Sequence, residues 1–120
     1  MQIQFKGTNY ELESEITQLA TRKIESIKKY LGKDAEVAHA YVDLGKETGA
    51  HQAGPIWYAE INLNAGGTRY TAKAVEEDIR TALDAMVSDI SRELQSSKKK
   101  KEGLFKKGGV QLKSLLRGFK

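Results

Sequence analysis

The spacing of apolar residues switches between a helical period and a strand period along this chain. In residues 11–31 apolar side chains recur at steps of three and four, which predicts an amphipathic helix. Residues 36–44, 56–64 and 68–74 instead alternate apolar and polar side chains, a pattern typical of strands with one buried face. Helical spacing returns in residues 75–97, so the sequence predicts a helix, three strands and a second helix in that order.

Turn and cap residues divide these segments. Met1–Lys6 is a further strand candidate, which makes the predicted order β-α-β-β-β-α. Ser14 is the predicted N-cap of the first helix, and Gly32 is its predicted stop. The segment Gly45–Pro55 contains three glycines and the only proline and predicts a loop, whereas Ala65–Gly67 predicts a hairpin turn.

Together these segments predict an α+β fold. The last three strands form an antiparallel meander, and a four-stranded sheet with both helices packed on one face satisfies all the apolar stripes. The helix residues predicted for the core are Ile16, Leu19, Ala20, Ile24, Ile27, Leu31, Ile79, Ala82, Leu83, Met86, Val87, Ile90 and Leu94. The open face of the sheet is predicted to carry His39, Tyr41, Tyr58, Glu60, Arg69 and Lys73.

Charge is distributed unevenly between a body and a tail. The 120 residues have a net charge of +4. Residues 1–97 contain 11 Lys or Arg and 15 Asp or Glu, a net of −4, whereas residues 98–120 contain nine Lys or Arg and one acid, a net of +8. A strongly basic tail on an acidic body indicates an anionic partner for the tail. Nucleic acid is the first candidate and an acidic membrane surface the second.

The basic tail has two predicted parts. Residues 98–109 are rich in lysine and glycine, cannot bury a core and are expected to be flexible in the free protein. Beyond them, Leu112, Leu115, Leu116 and Phe119 return to helical spacing. A segment this short is expected to become ordered only on a partner or on the domain itself. A solubilising tail is the alternative, although such a tail has no need of these apolar residues.

Little in the sequence supports catalysis or metal binding. Cysteine is absent, which excludes disulfides, thiolate metal sites and cysteine nucleophiles. His39 and His51 lack the spacing of a metal site or a catalytic triad, and Glu76–Asp78 is interpreted as an acidic helix start. We therefore expect no enzyme activity, no catalytic residue, no metal and no cofactor.

The sequence also predicts a cytoplasmic location. Its first residues lack the basic segment and apolar run of a signal peptide. No stretch approaches the roughly 18 apolar residues of a membrane span.

Basic residues on the two predicted helices form a candidate nucleic-acid surface. Arg22 and Lys29 are seven residues apart and stack on the solvent side of the first helix. An ordinary solvated helix surface is the alternative, because acidic residues share it. The candidates on the two helices are Arg22, Lys23, Lys28, Lys29, Arg80 and Arg92.

Three segments carry a family resemblance. They are the opening IQFKGTNYEL with the following ESEITQLATRKIESIKKYLG, the hairpin WYAEINLNAGGTRYTAKA, and the strand-to-helix junction AVEEDIRTALDAMVSDISRELQ. As an ordered set they resemble the ribosome hibernation-promoting factors, also called ribosome-associated inhibitors or sigma-54 modulation proteins. The resemblance covers residues 1–97, and the chain is too short for the extra C-terminal domain of long members.

The resemblance implies a fold similar to a double-stranded-RNA-binding domain and an activity without chemistry. Family members occupy the decoding region of the small ribosomal subunit, where they lie across the rRNA and exclude mRNA and the A- and P-site tRNAs. The family's rRNA contacts, carried to this sequence, fall on Lys23, Lys28, Lys29, Arg92, Lys98, Lys99, Lys100 and Lys101. Local geometry adds Arg22 and Arg80, and the open sheet face adds Lys73.

The tail supplies the remaining predicted contacts. Because the body is net acidic, much of the phosphate binding is expected from residues 98–120, which are also the candidate contact for ribosomal proteins. The tail residues predicted to take part are Lys106, Lys107, Lys113 and Arg117.

Two other classes of function remain open from the residues. A regulator that binds structured RNA away from the ribosome would use the same fold and the same basic surface. A membrane-surface protein would use the apolar segment at the end of the tail as an interfacial helix, but that segment is short and contains Gly118.

Overall fold

The elements follow the predicted order. The computed structural model describes residues 1–47 and 56–107, with side chains for residues 1–47 and 56–99. The strands are β1 (Gln2–Thr8), β2 (His39–Lys46), β3 (Trp57–Ala65) and β4 (Thr68–Glu76). The α-helices are α1 (Ser14–Glu25) and α2 (Ile79–Lys107), and two 3₁₀ helices follow α1, Ser26–Tyr30 and Gly32–Val37.

The four strands form one mixed sheet in the order β1-β2-β3-β4. β1 runs parallel to β2, and α1 lies in the crossover between them, as a parallel pair requires. β2, β3 and β4 form the predicted antiparallel meander. The predicted hairpin turn is also confirmed, with Gly66 at φ 57° and Gly67 at φ 80°. Two successive positive φ angles favour glycine and match the twist of the flanking strands.

The core lies between one face of the sheet and the two helices, which confirms the predicted α+β fold. Each large aliphatic side chain buried there stabilises the fold by about 1.5–3 kcal/mol relative to exposure. Of the predicted core residues, Ile79 and Val87 are half-buried and pack against the core cluster, whereas Leu19 is half-buried and lies outside it. The largest fully buried side chains are Ile24, Ile27, Val42, Leu44, Ile61, Leu63, Leu83, Met86 and Ile90.

The first helix is shorter than its apolar spacing predicts. The N-cap position is held by Glu13, whose carbonyl accepts the N–H of Thr17 at 3.0 Å, so Ser14 is the first helical residue and its predicted role as N-cap is wrong. α-Helical geometry ends at Glu25. The Ser26 hydroxyl donates to the Lys23 carbonyl at 2.6 Å, and the chain tightens into 3₁₀ geometry up to the predicted stop at Gly32.

The second strand is displaced toward the C-terminus. Alternation predicts its start at residue 36, but the Asp34 N–H donates to the Leu31 carbonyl and a 3₁₀ helix continues to Val37. β2 then includes Gly45 and extends to Lys46, within the predicted loop. A Cβ at Gly45 would come within 2.0 Å of a backbone oxygen of β1, so only glycine permits this close pairing. Residues 48–55 of the predicted loop, with His51, lie outside the described residues.

The second helix begins and ends later than predicted. Residues 75–76 continue the pairing of β4 with β3, and the helix starts only after Asp78, whose carboxylate accepts the Thr81 N–H at 2.8 Å. The helix then continues to Lys107, so its predicted end at Ser97 is wrong. Lysine has good helix propensity, and each residue added to an existing helix needs no new nucleus. The predicted boundary at residue 98 therefore falls inside α2.

Candidate nucleic-acid interface

α1 and α2 lie side by side on the sheet and are joined by two ion pairs. Lys23 of α1 pairs with Asp84 of α2, and Arg80 of α2 pairs with Glu15 of α1 at 2.8 Å. Each pair brings a predicted RNA-binding cation next to a carboxylate on the opposite helix. The helix face is consequently mixed in charge, not continuously basic.

Two further predicted cations pair within their own helical segments. Lys28 donates to Glu25 at 2.8 Å, and this hydrogen bond lowers the pKa of Glu25. Arg92 pairs with Asp89 three residues earlier. All of these pairs are at least partly exposed, so solvent screens them and each contributes little to stability. Pairs this weak can exchange one partner for another at little cost.

Lys73 is separated from the other predicted contacts. It lies on the open face of the sheet, where its amine is 2.9 Å from the Glu47 carboxylate and 4.8 Å from the centre of the Tyr58 ring. The bond to Glu47 raises the pKa of Lys73. Because the helices cover the opposite face, Lys73 does not share their surface.

The open face also differs from its predicted composition at one residue. Tyr58 is only 6% exposed, although it belongs to that face. Its hydroxyl donates to Asp43 at 2.9 Å, and Thr8 donates to the other oxygen of the same carboxylate at 2.8 Å. Burial raises the pKa of Tyr58. This part of the face is a bonded polar network with an aromatic ring inside it, whereas Tyr41 remains 43% exposed as predicted.

Three of the predicted cations without a carboxylate partner among the described residues lie at the other end of the helical layer. Lys29 belongs to the first 3₁₀ helix, with its amine 5.2 Å from the centre of the Tyr30 ring. Lys98 and Lys99 are exposed on α2 after its last buried residue, Leu94. Lys29 and Lys98 line the same groove. The described residues thus place unpaired lysines where α2 leaves the core.

The remaining predicted contacts are Arg22 on α1 and basic residues at or beyond the end of α2, most of whose side chains the structure does not describe. Arg22 is exposed on α1 and has no carboxylate partner within the described part of the chain. The backbone of α2 carries Lys100, Lys101, Lys106 and Lys107 in helical conformation, but their side chains lie outside the description. Lys113 and Arg117 fall outside the described residues altogether.

The sequence showed acidic residues on this surface, but their pairing with the predicted cations was not predicted. The pairs Glu25–Lys28 and Asp89–Arg92 have i, i+3 spacing, a signal that was available in the sequence. Asp84 and Glu15 are paired only because α1 and α2 pack together, and no local pattern predicts that contact.

The predicted acidic start of the second helix is only partly confirmed, because Glu76 belongs to β4 and Asp78 directly precedes α2. Asp78 accepts both the N–H and the hydroxyl of Thr81 at 2.8 Å, and these hydrogen bonds lower the pKa of Asp78. Among the described residues, no three His, Asp or Glu side chains are grouped so as to hold a metal ion. In that same part of the chain, no helix has the length and apolar character needed to cross a membrane.

Solved structures share this fold. The N-terminal domain of Protein Y from Thermus thermophilus superposes with a TM-score of 0.67 at 20% sequence identity, covering 80% of this chain and 98% of that one. A ribosomal subunit interface protein from Coxiella burnetii gives a TM-score of 0.65 at 14% identity, covering 82% of this chain and 98% of its own. The comparison with curated protein sequences gives no match.

The sequence itself matches a family over most of its length. The matching family is described as Sigma 54 modulation protein / S30EA ribosomal protein, and the match extends over residues 3–102. It includes α1 and most of α2. It also continues past residue 97 into the lysine-rich extension of α2, residues 98–107, and ends at residue 102. The resemblance inferred from the three sequence segments is thereby confirmed, and the chain belongs to the Sigma 54 modulation protein / S30EA ribosomal protein family.

Proposed function

We propose that this protein is a ribosome hibernation factor that binds small-subunit rRNA in the decoding region. Bound there, it excludes mRNA and the A- and P-site tRNAs, stops translation by occupying space and preserves idle ribosomes in the cytoplasm. No bond is made or broken. The observation that carries the proposal is the family match, which spans both basic helices and the start of the lysine-rich extension.

The helix face would bind RNA by exchange of partners. Phosphate oxygens form charge-assisted hydrogen bonds with Lys and Arg, and bidentate contacts to Arg are the strongest of these. The exposed pairs Lys23–Asp84 and Arg80–Glu15 are weak enough to open for such a contact. The displaced carboxylates then repel nearby phosphates, which restricts binding to RNA whose backbone fits between the acidic positions.

The extension of α2 would supply most of the attraction. Residues 98–120 carry nine Lys or Arg, and the first of them continue an existing helix, so little ordering remains for that part on binding. We propose residues 1–97 as the ribosome-binding domain and residues 98–120 as a second contact, to rRNA or to ribosomal proteins. The apolar positions near the C-terminus then act as an anchor that becomes ordered on the ribosome.

Co-sedimentation with isolated small subunits tests the proposal. The full chain should sediment with them, and saturating mRNA together with initiator tRNA should release it. A matched competition uses an unrelated duplex RNA at the same phosphate concentration, which should release much less protein. Equal release by both competitors would contradict decoding-region binding and favour the alternative, a regulator of structured RNA away from the ribosome.

A further inference from the structure

A groove lies where the 3₁₀ helices, the β3–β4 hairpin and α2 meet. It has a volume of about 240 Å³ and opens to solvent beside the start of the α2 extension. Pockets that enclose drug-sized ligands measure about 300–1,000 Å³, so this groove suits a smaller unit such as one nucleotide. Both polar and apolar side chains line it, and those that bear on its chemistry are Lys29, Asp34, Tyr70, Leu94, Ser97 and Lys98.

Two lysines stand at the mouth of this groove. Lys29 and Lys98 are both exposed, and neither forms an ion pair with a described carboxylate. They come from segments far apart in sequence, the first 3₁₀ helix and α2, so the fold itself brings them together. Paired amines at the mouth favour an anion, and phosphate is the anion that the proposed function supplies.

Asp34 makes the interior of the groove unsuitable for the phosphate itself. Its carboxylate is half-buried and accepts no hydrogen bond from the described residues. It rests against Gly66 in the hairpin turn, where a Cβ would lie 2.4 Å from a carboxylate oxygen. The glycine therefore leaves room for the carboxylate, whose oxygens can accept hydrogen bonds from a ligand.

The groove is also lined by a pair of hydroxyls that contact each other. The Tyr70 ring is buried at 8% exposure, and its hydroxyl lies 3.3 Å from the hydroxyl of Ser97. Hydroxyls both donate and accept, so this pair suits a ribose or the acceptor edge of a base. Leu94, buried at 3% exposure, adds an apolar surface for the face of a base.

We propose that this groove binds a single unstacked guanine nucleotide of RNA, with the phosphate on Lys29 and Lys98 and the base on Asp34. The inference rests on the proposed function and names the nucleotide that one part of the interface receives. Guanine presents two adjacent donors, N1–H and N2–H, which match the two oxygens of a carboxylate. Adenine places an acceptor nitrogen beside its single amino group, and uracil and cytosine also lack the adjacent pair of donors.

Nucleoside monophosphates are the direct probes. GMP, AMP, CMP and UMP are titrated separately into the full chain and followed by two-dimensional amide NMR. GMP should bind about tenfold more tightly than AMP, the scale of one good bidentate contact to a base. Its chemical-shift changes should centre on residues 29–34, 66, 70 and 97–98. Equal affinities for the four nucleotides, or changes centred elsewhere, would overturn the proposal.

Three variants separate the contributions. Asp34→Asn should abolish the preference for GMP while keeping a weak phosphate contact. The double variant K29Q/K98Q should weaken the binding of all four nucleotides equally. Lys33→Gln is the matched control, because Lys33 is exposed beside Asp34 but does not line the groove. A preference for GMP that persists in Asp34→Asn would contradict the proposed base contact. Thermal unfolding of each variant identifies any that fails to fold. Ser97→Ala gives a second test, because it should weaken GMP binding without removing the preference for GMP.

Small-subunit binding by the same variants distinguishes failure of this inference from failure of the proposed function. Loss of the GMP preference in Asp34→Asn with unchanged subunit binding would place the nucleotide site outside the ribosome contact and overturn the inference as stated. GMP selectivity in a chain that binds no small subunit would support the guanine site and contradict the proposed function. Parallel losses of both support the two together.

Discussion

The two ends of α2 differ in burial and in the pairing of their charged residues. From Ile79 to Leu94 the helix buries one face in the core, and four of its charged residues form ion pairs: Arg80, Asp84, Asp89 and Arg92. After Ser97, Lys98 and Lys99 are exposed, and neither forms an ion pair with a carboxylate of the described residues. One end thus stabilises the domain, whereas the described lysines of the other end present positive charge to solvent.

A substitution in the buried end should have the largest effect. Met86 is fully buried, so Met86→Ala should lower the free energy of unfolding by about 2–5 kcal/mol through lost burial and a residual cavity. Lys99→Ala, on the exposed end, should change it by less than about 0.5 kcal/mol. Urea denaturation of both variants measures the difference. Equal destabilisation would show that the two ends are not distinct.

Removal of the basic end should affect binding more than folding. Deletion of residues 98–120 should weaken small-subunit binding by at least about tenfold. Each lost phosphate contact should reduce the slope of the logarithm of the binding constant against the logarithm of the salt concentration by about 0.7–0.9. The thermal midpoint of the domain should stay nearly constant. A second truncation that removes only residues 108–120 separates the helical extension from the terminal segment. An unchanged affinity and salt slope in the longer deletion would exclude a role for this region.

The paired cations of the buried end should respond to loss of their carboxylates. Asp84→Asn frees Lys23 and removes a negative charge from the helix face, so it should strengthen small-subunit binding by about two- to fivefold. Glu60→Gln makes the same change in net charge on the open sheet face and is the control. If both variants bind equally more tightly, net charge explains the effect and the ion pair does not.

The cap of α2 should give the smallest effect, visible in its pH dependence. The pKa of Asp78 is lowered by its hydrogen bonds to Thr81, so its contribution to stability is present above the unfolded-state pKa. This contribution is lost as pH falls through the lowered pKa. Thermal midpoints of the wild type and Asp78→Ala should therefore differ by a few degrees near neutral pH and converge in acid. A difference that is constant with pH would contradict the cap.

Much of the fold follows from local pattern. Neighbouring residues determine the apolar stripes of both helices, the hairpin at Gly66 and Gly67, and the antiparallel meander. The ends of the helices and strands are harder to predict from the sequence, because tertiary contacts determine them. Val75 fits a helix or a strand by its spacing, and pairing with Tyr58 selects the strand. Lys98 is compatible with a loop in isolation, yet it continues a helix that is already formed.

The candidate site was predictable as a set of cations but not as a charge pattern. Lysines and arginines on predicted helices identify positions that can meet phosphate, whereas their partners depend on packing. Lys23 meets Asp84 only across the contact of α1 with α2, and Asp34 meets Gly66 only across the fold. The spacing of residues in the sequence does not predict either contact. The mixed charge of the helix face and the proposed guanine groove could therefore be inferred only from the structure.

A cryo-EM map of the full chain on isolated small subunits would show directly where the domain binds. If the protein blocks the decoding region, density for the domain should lie there, with α1, α2 and the lysine-rich end of α2 against the rRNA and the open sheet face turned away. Density at another position on the subunit, or the sheet face against the rRNA, would contradict it.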